Sequence, residues 1–356
     1  MSLPKNKHDV GAKEDVGEKD GRSKNVLVWG GLGFIGYHLT EYLLSRGYKV
    51  SILCRSRSSY PVPSWNSRVR WFELHGESNT EILEKAVASS SVIFNLAGSS
   101  GAAASNLDPI ASLTNNCSVQ LEFLQACRVA GHRPHVIFSS SRLVYGETNG
   151  RVVGESYPTL PRSAYAIHKL CAEQYMQLYS SMGFITHTIC RISNAYGPDR
   201  GHAGRGYKIL NSFILKSLQG QPITIYGLGD QMRDFIYVSD LVDALAACAF
   251  NPSAQNVTLN IGSGEQRSML EAANLIRSLT DGPPVIFQTW PAEYLAVESG
   301  DYICDITRAQ QLLDFQPRFL LADGIGDTVR AYRELPDRGA SPRNIEQLDR
   351  TIAVAS

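Results

Sequence analysis

Short apolar runs alternate with longer amphipathic segments from residue 25 to about residue 191. The runs favour strands buried on both faces, whereas the amphipathic segments have the length of crossover helices. We predict strands at residues 25–29, 48–53, 69–72, 92–96, 135–139 and 185–191, and helices near residues 35–46, 81–87, 111–130 and 163–182. This alternation predicts an α/β protein with a doubly wound parallel sheet, in which right-handed crossovers place helices on both faces.

The alternation fades after about residue 194. A helical pattern at residues 209–218 and a short strand at residues 222–226 indicate a smaller C-terminal α/β domain. We therefore divide the chain into a disordered tail, a large sheet domain, a smaller domain and a polar tail. Their bounds are residues 1–24, residues 25–193 with returning segments near 234–262, residues 194–335, and residues 336–356.

Composition narrows the classes of partner and compartment. Lys plus Arg and Asp plus Glu both number 34, so no net field favours nucleic acid or anionic lipid. Seven scattered cysteines without a CxxC pair indicate reduced thiols, which are typical of the cytoplasm. No apolar run reaches the roughly 18 residues of a membrane span, and the N-terminus lacks the apolar core of a signal peptide. We expect a cytoplasmic protein that binds neither nucleic acid nor membrane, and we predict no metal site.

A glycine turn follows the first predicted strand, in the stretch NVLVWGGLGFIGYHL. Gly30, Gly33 and Gly36 are spaced as GxxGxxG between a strand and a helix. Glycines there permit a tight turn and a close approach of the backbone to a pyrophosphate, which the helix N-terminus attracts. A purely structural turn is the alternative, but the position after the first strand of an α/β pattern favours a dinucleotide site.

The end of the second predicted strand indicates which dinucleotide binds. An acidic residue there would accept both ribose hydroxyls of NAD, but this chain has Arg55 and Arg57. Two guanidinium groups suit the 2′-phosphate of NADP. If both are solvated loop charges instead, NAD remains possible, so the sequence favours NADP over NAD without excluding either.

The stretch SAYAIHKL places Tyr165 and Lys169 four residues apart on one face of a predicted helix. A nearby ammonium stabilises a phenolate and brings proton transfer by tyrosine toward neutral pH. The same spacing also occurs in helices where Tyr packs and Lys is solvated. The upstream stretch FSSSRLVYG supports a catalytic role, because Ser139, Ser140 and Ser141 follow a strand at the edge where open α/β sheets bind ligands.

Together these motifs resemble the extended short-chain dehydrogenase/reductases, the family of nucleotide-sugar epimerases and dehydratases, from residue 25 to about residue 332. The resemblance implies a Rossmann-type domain that binds NAD(P) and a C-terminal domain that binds a nucleotide sugar. It assigns catalysis to Ser141, Tyr165 and Lys169. It implies cofactor contacts at Gly30, Gly33, Phe34, Ile35, Gly36, Arg55, Arg57, Glu77, Leu96, Ala97, Asn116, Tyr165 and Lys169, and substrate contacts at Ser140, Ser141, Asn194, Arg233 and Asp301.

Two departures from the family pattern bear on the reaction. Glu298 stands where many nucleotide-sugar epimerases carry a second arginine for the diphosphate, so either another cation, such as Arg205 or Arg267, replaces it or the ligand differs. Arg142 and Leu143 follow Ser141 in place of the Asp-Glu pair of the dehydratases, which makes dehydration unfavourable.

We therefore expect oxidoreduction at C4 of a nucleotide sugar, with a 4-epimerase as the first hypothesis. An NADPH-dependent reductase of a 4-keto sugar is the second, and Arg55 and Arg57 favour it. A third hypothesis, from another class, is a non-catalytic dinucleotide-binding sensor or scaffold. The resemblance further implies a homodimer formed through the helix that carries Tyr165.

Overall fold

The computed structural model describes residues 24–57, 62–74, 79–199 and 208–334. The strands are β1 (Asn25–Trp29), β2 (Lys49–Cys54), β3 (Arg70–Glu73), β4 (Val92–Asn95), β5 (His135–Ser141), β6 (Val152–Val153), β7 (Thr186–Ile192), β8 (Asn194–Tyr196), β9 (Thr224–Tyr226), β10 (Met232–Tyr237), β11 (Val257–Ile261), β12 (Gln266–Ser268), β13 (Ile286–Gln288) and β14 (Ile303–Cys304). The helices are α1 (Phe34–Ser45), α2 (Thr80–Ala88), α3 (Ala102–Leu107), α4 (Pro109–Leu113), α5 (Val119–Val129), α6 (Ala164–Ser181), α7 (Ile209–Leu218), α8 (Val238–Phe250), α9 (Met269–Thr280), α10 (Ala292–Leu295), α11 (Thr307–Leu313) and α12 (Leu321–Glu334).

Seven parallel strands form the main sheet in the order β11-β7-β5-β4-β1-β2-β3. The chain winds outward in one direction from β1 to β3 and in the other from β4 to β11. The reversal lies between β1 and β4, and ligands of such sheets bind outside the carboxyl ends of the strands at that point. The predicted doubly wound sheet is confirmed, and its topology directs attention to the residues after β1, β4 and β5.

Side chains of the main sheet alternate between two apolar layers. Along β1, Val26 and Val28 pack in the layer that includes α1 and α8, while Leu27 and Trp29 pack in the layer that includes α2, α5 and α6. All four are buried, which explains why the strand is apolar at every position rather than at every second one. The sheet is a rigid platform for the segments at its carboxyl edge.

The C-terminal part of the chain is divided between the main sheet and smaller sheets. After β7 the chain leaves the main sheet. Strand β8 pairs with β10, which also pairs with β12, and β11 then pairs with β7 in the main sheet. A separate apolar cluster joins β9 and β10 to α7, α9 and α12. The division into domains stays a prediction, and both predicted tails lie outside the described residues. Across the part of the chain that the structure describes, no helix is both long enough and apolar enough to cross a membrane.

The helix predicted at residues 111–130 is interrupted. Residues Thr114–Ser118 form a π-helical segment between α4 and α5. The side chain of Asn116 donates a hydrogen bond of 3.1 Å to the carbonyl oxygen of Ser112, the acceptor that the backbone amide of residue 116 would use in a regular α-helix. Such wide turns occur mostly as single-turn insertions within α-helices, frequently at functional sites. Periodicity alone does not show this interruption.

Candidate active site

The turn between β1 and α1 excludes side chains. Gly30 has a φ of +88°, and a Cβ at this residue would lie 3.1 Å from the carbonyl oxygen of Leu96. A Cβ on Gly36 would lie 2.2 Å from the carbonyl oxygen of Gly30. Helix α1 begins after Gly33, which supplies no side-chain cap for the first amides, and these amides have no intrahelical acceptor either. Uncapped amides at a helix N-terminus fit the diphosphate of a dinucleotide.

A cavity of about 930 Å³ opens beside this turn. Eight of the predicted cofactor residues lie in its wall: Gly30, Gly33, Phe34, Ile35, Gly36, Leu96, Tyr165 and Lys169. Ala97 and Arg55 line a smaller neighbouring cavity of about 300 Å³, and Gly98 lines both. Glu77 lies outside the described residues. The structure thus brings most of the predicted cofactor residues to one continuous surface at the carboxyl edge of the sheet.

The predicted catalytic residues meet in the wall of the larger cavity. Ser141 is the last residue of β5, and its hydroxyl accepts a hydrogen bond from the Leu143 amide at 3.2 Å. Tyr165 and Lys169 lie one turn apart on α6. Burial raises the pKa of Tyr165 to about 12, and its hydrogen bond with Ser141 acts in the opposite direction. This contact holds the phenol beside the Ser141 hydroxyl, where both oxygens can reach the same substrate oxygen.

A hydrogen bond from its ammonium group holds the Lys169 side chain near Tyr165. Its Nζ donates to the carbonyl oxygen of Ser139 at 2.8 Å and lies 6.0 Å from the centre of the Tyr165 ring. Burial lowers the pKa of Lys169 to about 8, while the charge of Glu173 raises it. A protonated amine at this position can stabilise a Tyr165 phenolate once the phenol has lost its proton.

Asn116 connects the π-helical segment to the cofactor side. It is fully buried, and its Oδ1 accepts from the Ser99 amide at 3.1 Å. A Cβ on Gly98, whose φ is +148°, would lie 2.6 Å from that same oxygen and 3.3 Å from Nζ of Lys169. Asn116 therefore packs behind Gly98 and positions the strand end that lines the cavity.

Ser140 points to a different group from Ser141. Its hydroxyl donates to a carboxylate oxygen of Glu173, which also binds Arg191 through an ion pair of 2.7 Å. The side chains of Glu173 and Arg191 are only 1% and 8% exposed. Ser140 lines the cavity, but its hydroxyl proton is already donated to Glu173. It therefore has no proton left to donate to a substrate.

The predicted substrate residues Asn194 and Arg233 also line the larger cavity. The guanidinium of Arg233 donates to the Gly300 carbonyl at 2.7 Å and forms an ion pair with Glu298. Asp301 does not reach the wall, because its carboxylate accepts the Met232 amide at 2.8 Å. The unexpected glutamate at position 298 is therefore a partner of Arg233.

Arg142 is a site residue that the sequence did not identify. It lines the cavity beside Ser141, and its guanidinium contacts Asn194 and Ser299, which also line the cavity. Of the two cations considered as replacements at position 298, Arg205 lies outside the described residues, and Arg267 is exposed and paired with Glu265. The position of Arg142 directly after Ser141 could have indicated a site residue. Its contacts with Asn194 and Ser299 could not be predicted from the sequence.

A glycine turn that faces a Ser-Tyr-Lys group across one cavity defines a class of enzymes in which tyrosine moves a proton while a nicotinamide exchanges a hydride. Residues 26–262 match the model of the NAD dependent epimerase/dehydratase family, and the chain belongs to that family.

Three similar proteins show which members of the family the chain resembles. It is 30% identical over 332 residues to UDP-glucuronic acid decarboxylase 1 of Xenopus tropicalis, covering 90% of this chain and 74% of the relative. The crystal structure of a UDP-glucose 4-epimerase of Thermotoga maritima with UDP-glucose superposes with a TM-score of 0.78 at 27% identity, covering 87% of this chain and 99% of that one. MoeE5 in complex with UDP-glucuronic acid and NAD gives a TM-score of 0.77 at 29% identity, over 87% of this chain and 99% of that one. The chain is an NAD-dependent nucleotide-sugar enzyme.

The predicted preference for NADP is not supported. Arg57 lies over Trp71, with its guanidinium carbon 4.5 Å from the ring centre, and donates to Asn66 at 3.2 Å. Its backbone amide binds the carboxylate of Glu73 at 2.9 Å. Arg55 donates to Asn115 at 2.9 Å. These contacts direct Arg57 away from both cavities, so that Arg55 is the only one of the two that lines a cavity wall.

The shifted pKa of Lys169 gives a stability test. The lysine has a pKa of about 8 when folded against 10.5 ordinarily, so between these values the unfolded chain binds more protons and stability rises with pH. We expect the free energy of unfolding of the wild type, minus that of Lys169→Met, to increase by about 2 kcal/mol from about pH 7.5 to about pH 9.5. Urea unfolding of both proteins measures it. A difference independent of pH would show that Lys169 titrates normally.

Proposed function

We propose that this protein is a UDP-sugar 4-epimerase. The observation that carries the proposal is the wall beside Ser141: Tyr165 and Lys169 can supply proton transfer, and Arg142 and Leu143 stand where the dehydratases have an Asp-Glu pair. Bound NAD would accept the C4 hydride of the sugar and later return it. Tyr165 takes the proton of the C4 hydroxyl, and Ser141 holds the oxygen as it becomes a carbonyl.

The return step determines the product. If the 4-keto sugar turns over in the cavity, the hydride returns to the other face of C4, and Tyr165 gives its proton back to the oxygen. The reaction then has no net oxidation, and the enzyme ends in its starting state. The UDP portion of the proposal rests on the similar structures solved with UDP-glucose and UDP-glucuronic acid.

Incubation with UDP-glucose, UDP-galactose or UDP-glucuronic acid tests the proposal, with products identified by NMR. We expect interconversion of C4 epimers without consumption of added NADH or NADPH. A substrate with deuterium at C4 should keep its deuterium in the product, because the hydride is returned to the carbon that lost it. Loss of NADPH in equal amount with product would instead establish the reductase.

A second candidate is a decarboxylase of UDP-glucuronic acid, favoured by the 30% identity with the Xenopus tropicalis relative. The first half-reaction is the same, since oxidation at C4 of a uronic acid gives a β-keto acid that can lose its carboxyl group as CO₂. Hydride return then gives a UDP-pentose. Release of CO₂ from UDP-glucuronic acid, with no C4 epimer formed from any substrate, would replace the epimerase by this activity.

We also propose that the cofactor is NAD and that the protein acts as a homodimer in the cytoplasm. The contacts of Arg57 support NAD, and seven unpaired cysteines suit a reducing compartment.

An exposed apolar face on α3, α4 and α6 supports the homodimer. It contains Leu107, Ile110 and Ile167, which are between 52% and 72% exposed and could pack against a second copy. Sedimentation should give about twice the 39.1 kDa of one chain.

A further inference from the structure

Arg142 links the end of β5 to Asn194 and to the loop that carries Glu298. It is the first residue of a 3₁₀ turn that directly follows Ser141. Its Nε donates to Oδ1 of Asn194 at 3.2 Å, and its Nη1 donates to Oγ of Ser299 at 3.1 Å. The guanidinium carbon lies 5.3 Å from the centre of the Tyr302 ring. These contacts fix the guanidinium beside the loop that carries Glu298.

Among the described residues no carboxylate forms an ion pair with Arg142, although the charges of Glu298 and Asp234 act on it from nearby. Asn194 and Ser299 are neutral, and Glu298 forms its ion pair with Arg233. Within the part of the chain that the structure describes, Nη2 of Arg142 makes no hydrogen bond. Burial and the charge of Arg233 lower the pKa of Arg142 to about 10. A guanidinium on a cavity wall, with a donor to spare, is prepared for an anion from the ligand.

Arg233 alone is a poor match for a diphosphate. Its guanidinium donates to the carbonyl oxygens of Met232 and Gly300 and pairs with Glu298. The carboxylate of Glu298 neutralises much of its charge, whereas the diphosphate of a nucleotide sugar brings two negative charges into the same cavity. A second guanidinium near Glu298 would compensate for that neutralisation, and Arg142 reaches Ser299, the residue next to Glu298.

We propose that Arg142 binds the diphosphate of the substrate, in the role that an arginine at position 298 would otherwise have, while Glu298 orients Arg233. The inference rests on the proposed nucleotide-sugar substrate. Because Arg142 follows Ser141 directly, one short segment holds both the diphosphate and the oxygen at C4. The substrate is thereby aligned from two ends by adjacent residues, which favours the reactive orientation.

Calorimetric binding of UDP tests this role without relying on turnover. Arg142→Gln removes the charge and keeps a hydrogen-bonding side chain, and we expect it to raise the Kd of UDP by about 10- to 100-fold, the size of one or two charge-assisted hydrogen bonds. The Kd of NAD should stay within twofold, which also verifies folding. The matched control is Arg267→Gln, because Arg267 is exposed and absent from the cavity wall. It should leave UDP binding unchanged.

A second variant restores the charge from the other side. Adding Glu298→Arg to Arg142→Gln should recover at least about tenfold in UDP affinity, because it places a cation in the same loop and removes the repelling carboxylate. The gain should exceed the gain that Glu298→Arg gives in the wild-type background, because only the Arg142→Gln variant lacks the cation that it replaces; equal gains in the two backgrounds would contradict the role of Arg142.

Three results would overturn the inference. UDP affinity of Arg142→Gln within twofold of the wild type, with UDP-sugar affinity equally unchanged, would remove Arg142 from ligand binding. A loss confined to UDP-glucuronic acid, with UDP and UDP-glucose unaffected, would assign Arg142 to a carboxylate on the sugar. Failure of the wild type itself to bind UDP, UDP-glucose or UDP-glucuronic acid would reject the proposed function as well, which the first two results leave standing.

Discussion

Tyr165→Phe is expected to lower kcat by about 10²- to 10⁴-fold, the usual contribution of a positioned acid-base group. In the proposed reaction the Tyr165 phenolate accepts the proton beside Ser141, and phenylalanine keeps the ring while removing the hydroxyl. The affinity for NAD should change little, since the glycine turn and helix α1 remain intact. Turnover of UDP-sugars and calorimetric binding of NAD together measure both quantities.

Tyr175→Phe is the matched control for this substitution. Tyr175 lies on the same helix but packs against an apolar layer rather than lining the cavity. Loss of its hydroxyl should leave kcat within about twofold, as surface and packing changes away from a site usually do. Equal activity of Tyr165→Phe and the wild type would sink the assignment of Tyr165 as the base.

Glu173→Gln is expected to lower the free energy of unfolding by about 3–5 kcal/mol. The carboxylate of Glu173 is the partner of Arg191 at 2.7 Å, and both side chains are buried. Removing one charge leaves the other buried without compensation, which costs far more than the pair itself contributes. Urea unfolding, followed by circular dichroism, measures the difference.

Two further variants separate charge from packing. Glu81→Gln removes an exposed partner of Lys85 and should leave stability unchanged within error. The double substitution Glu173→Leu with Arg191→Leu removes both buried charges and should be more stable than Glu173→Gln alone. If Glu173→Gln unfolds like the wild type, the ion pair is not what stabilises this layer.

Local patterns carried much of the fold. Strand β1 and helix α7 begin and end where periodicity places them, because buried strands and amphipathic helices are determined by apolar positions within a few residues. Strand β5 extends to Ser141, two residues beyond its predicted end, because pairing with β7 continues through the three serines. A hydrophobic pattern cannot show where a strand ends when its last residues are polar.

The site was less accessible to sequence than the fold. Short spacing revealed the glycine turn and the Tyr165 and Lys169 pair, since their members lie within one or two turns. The contacts of Arg142 join residues 52 and 157 positions apart, and no spacing rule reaches that far. Arg57 was misjudged for the same reason: Trp71, on the neighbouring strand, decides where its guanidinium lies.

The π-helical segment at Thr114–Ser118 lets one stretch of chain serve two surfaces. One residue inserted into an α-helix rotates everything after it by about 100° around the helix axis. Within the segment, Asn116 contacts Ser112 and Ser99; after it, Phe123 and Leu124 pack in the apolar layer of the sheet. Deleting one residue from Thr114–Ser118 would make the helix regular. Either Phe123 and Leu124 would then turn away from the apolar layer, or Asn116 would turn away from the active site.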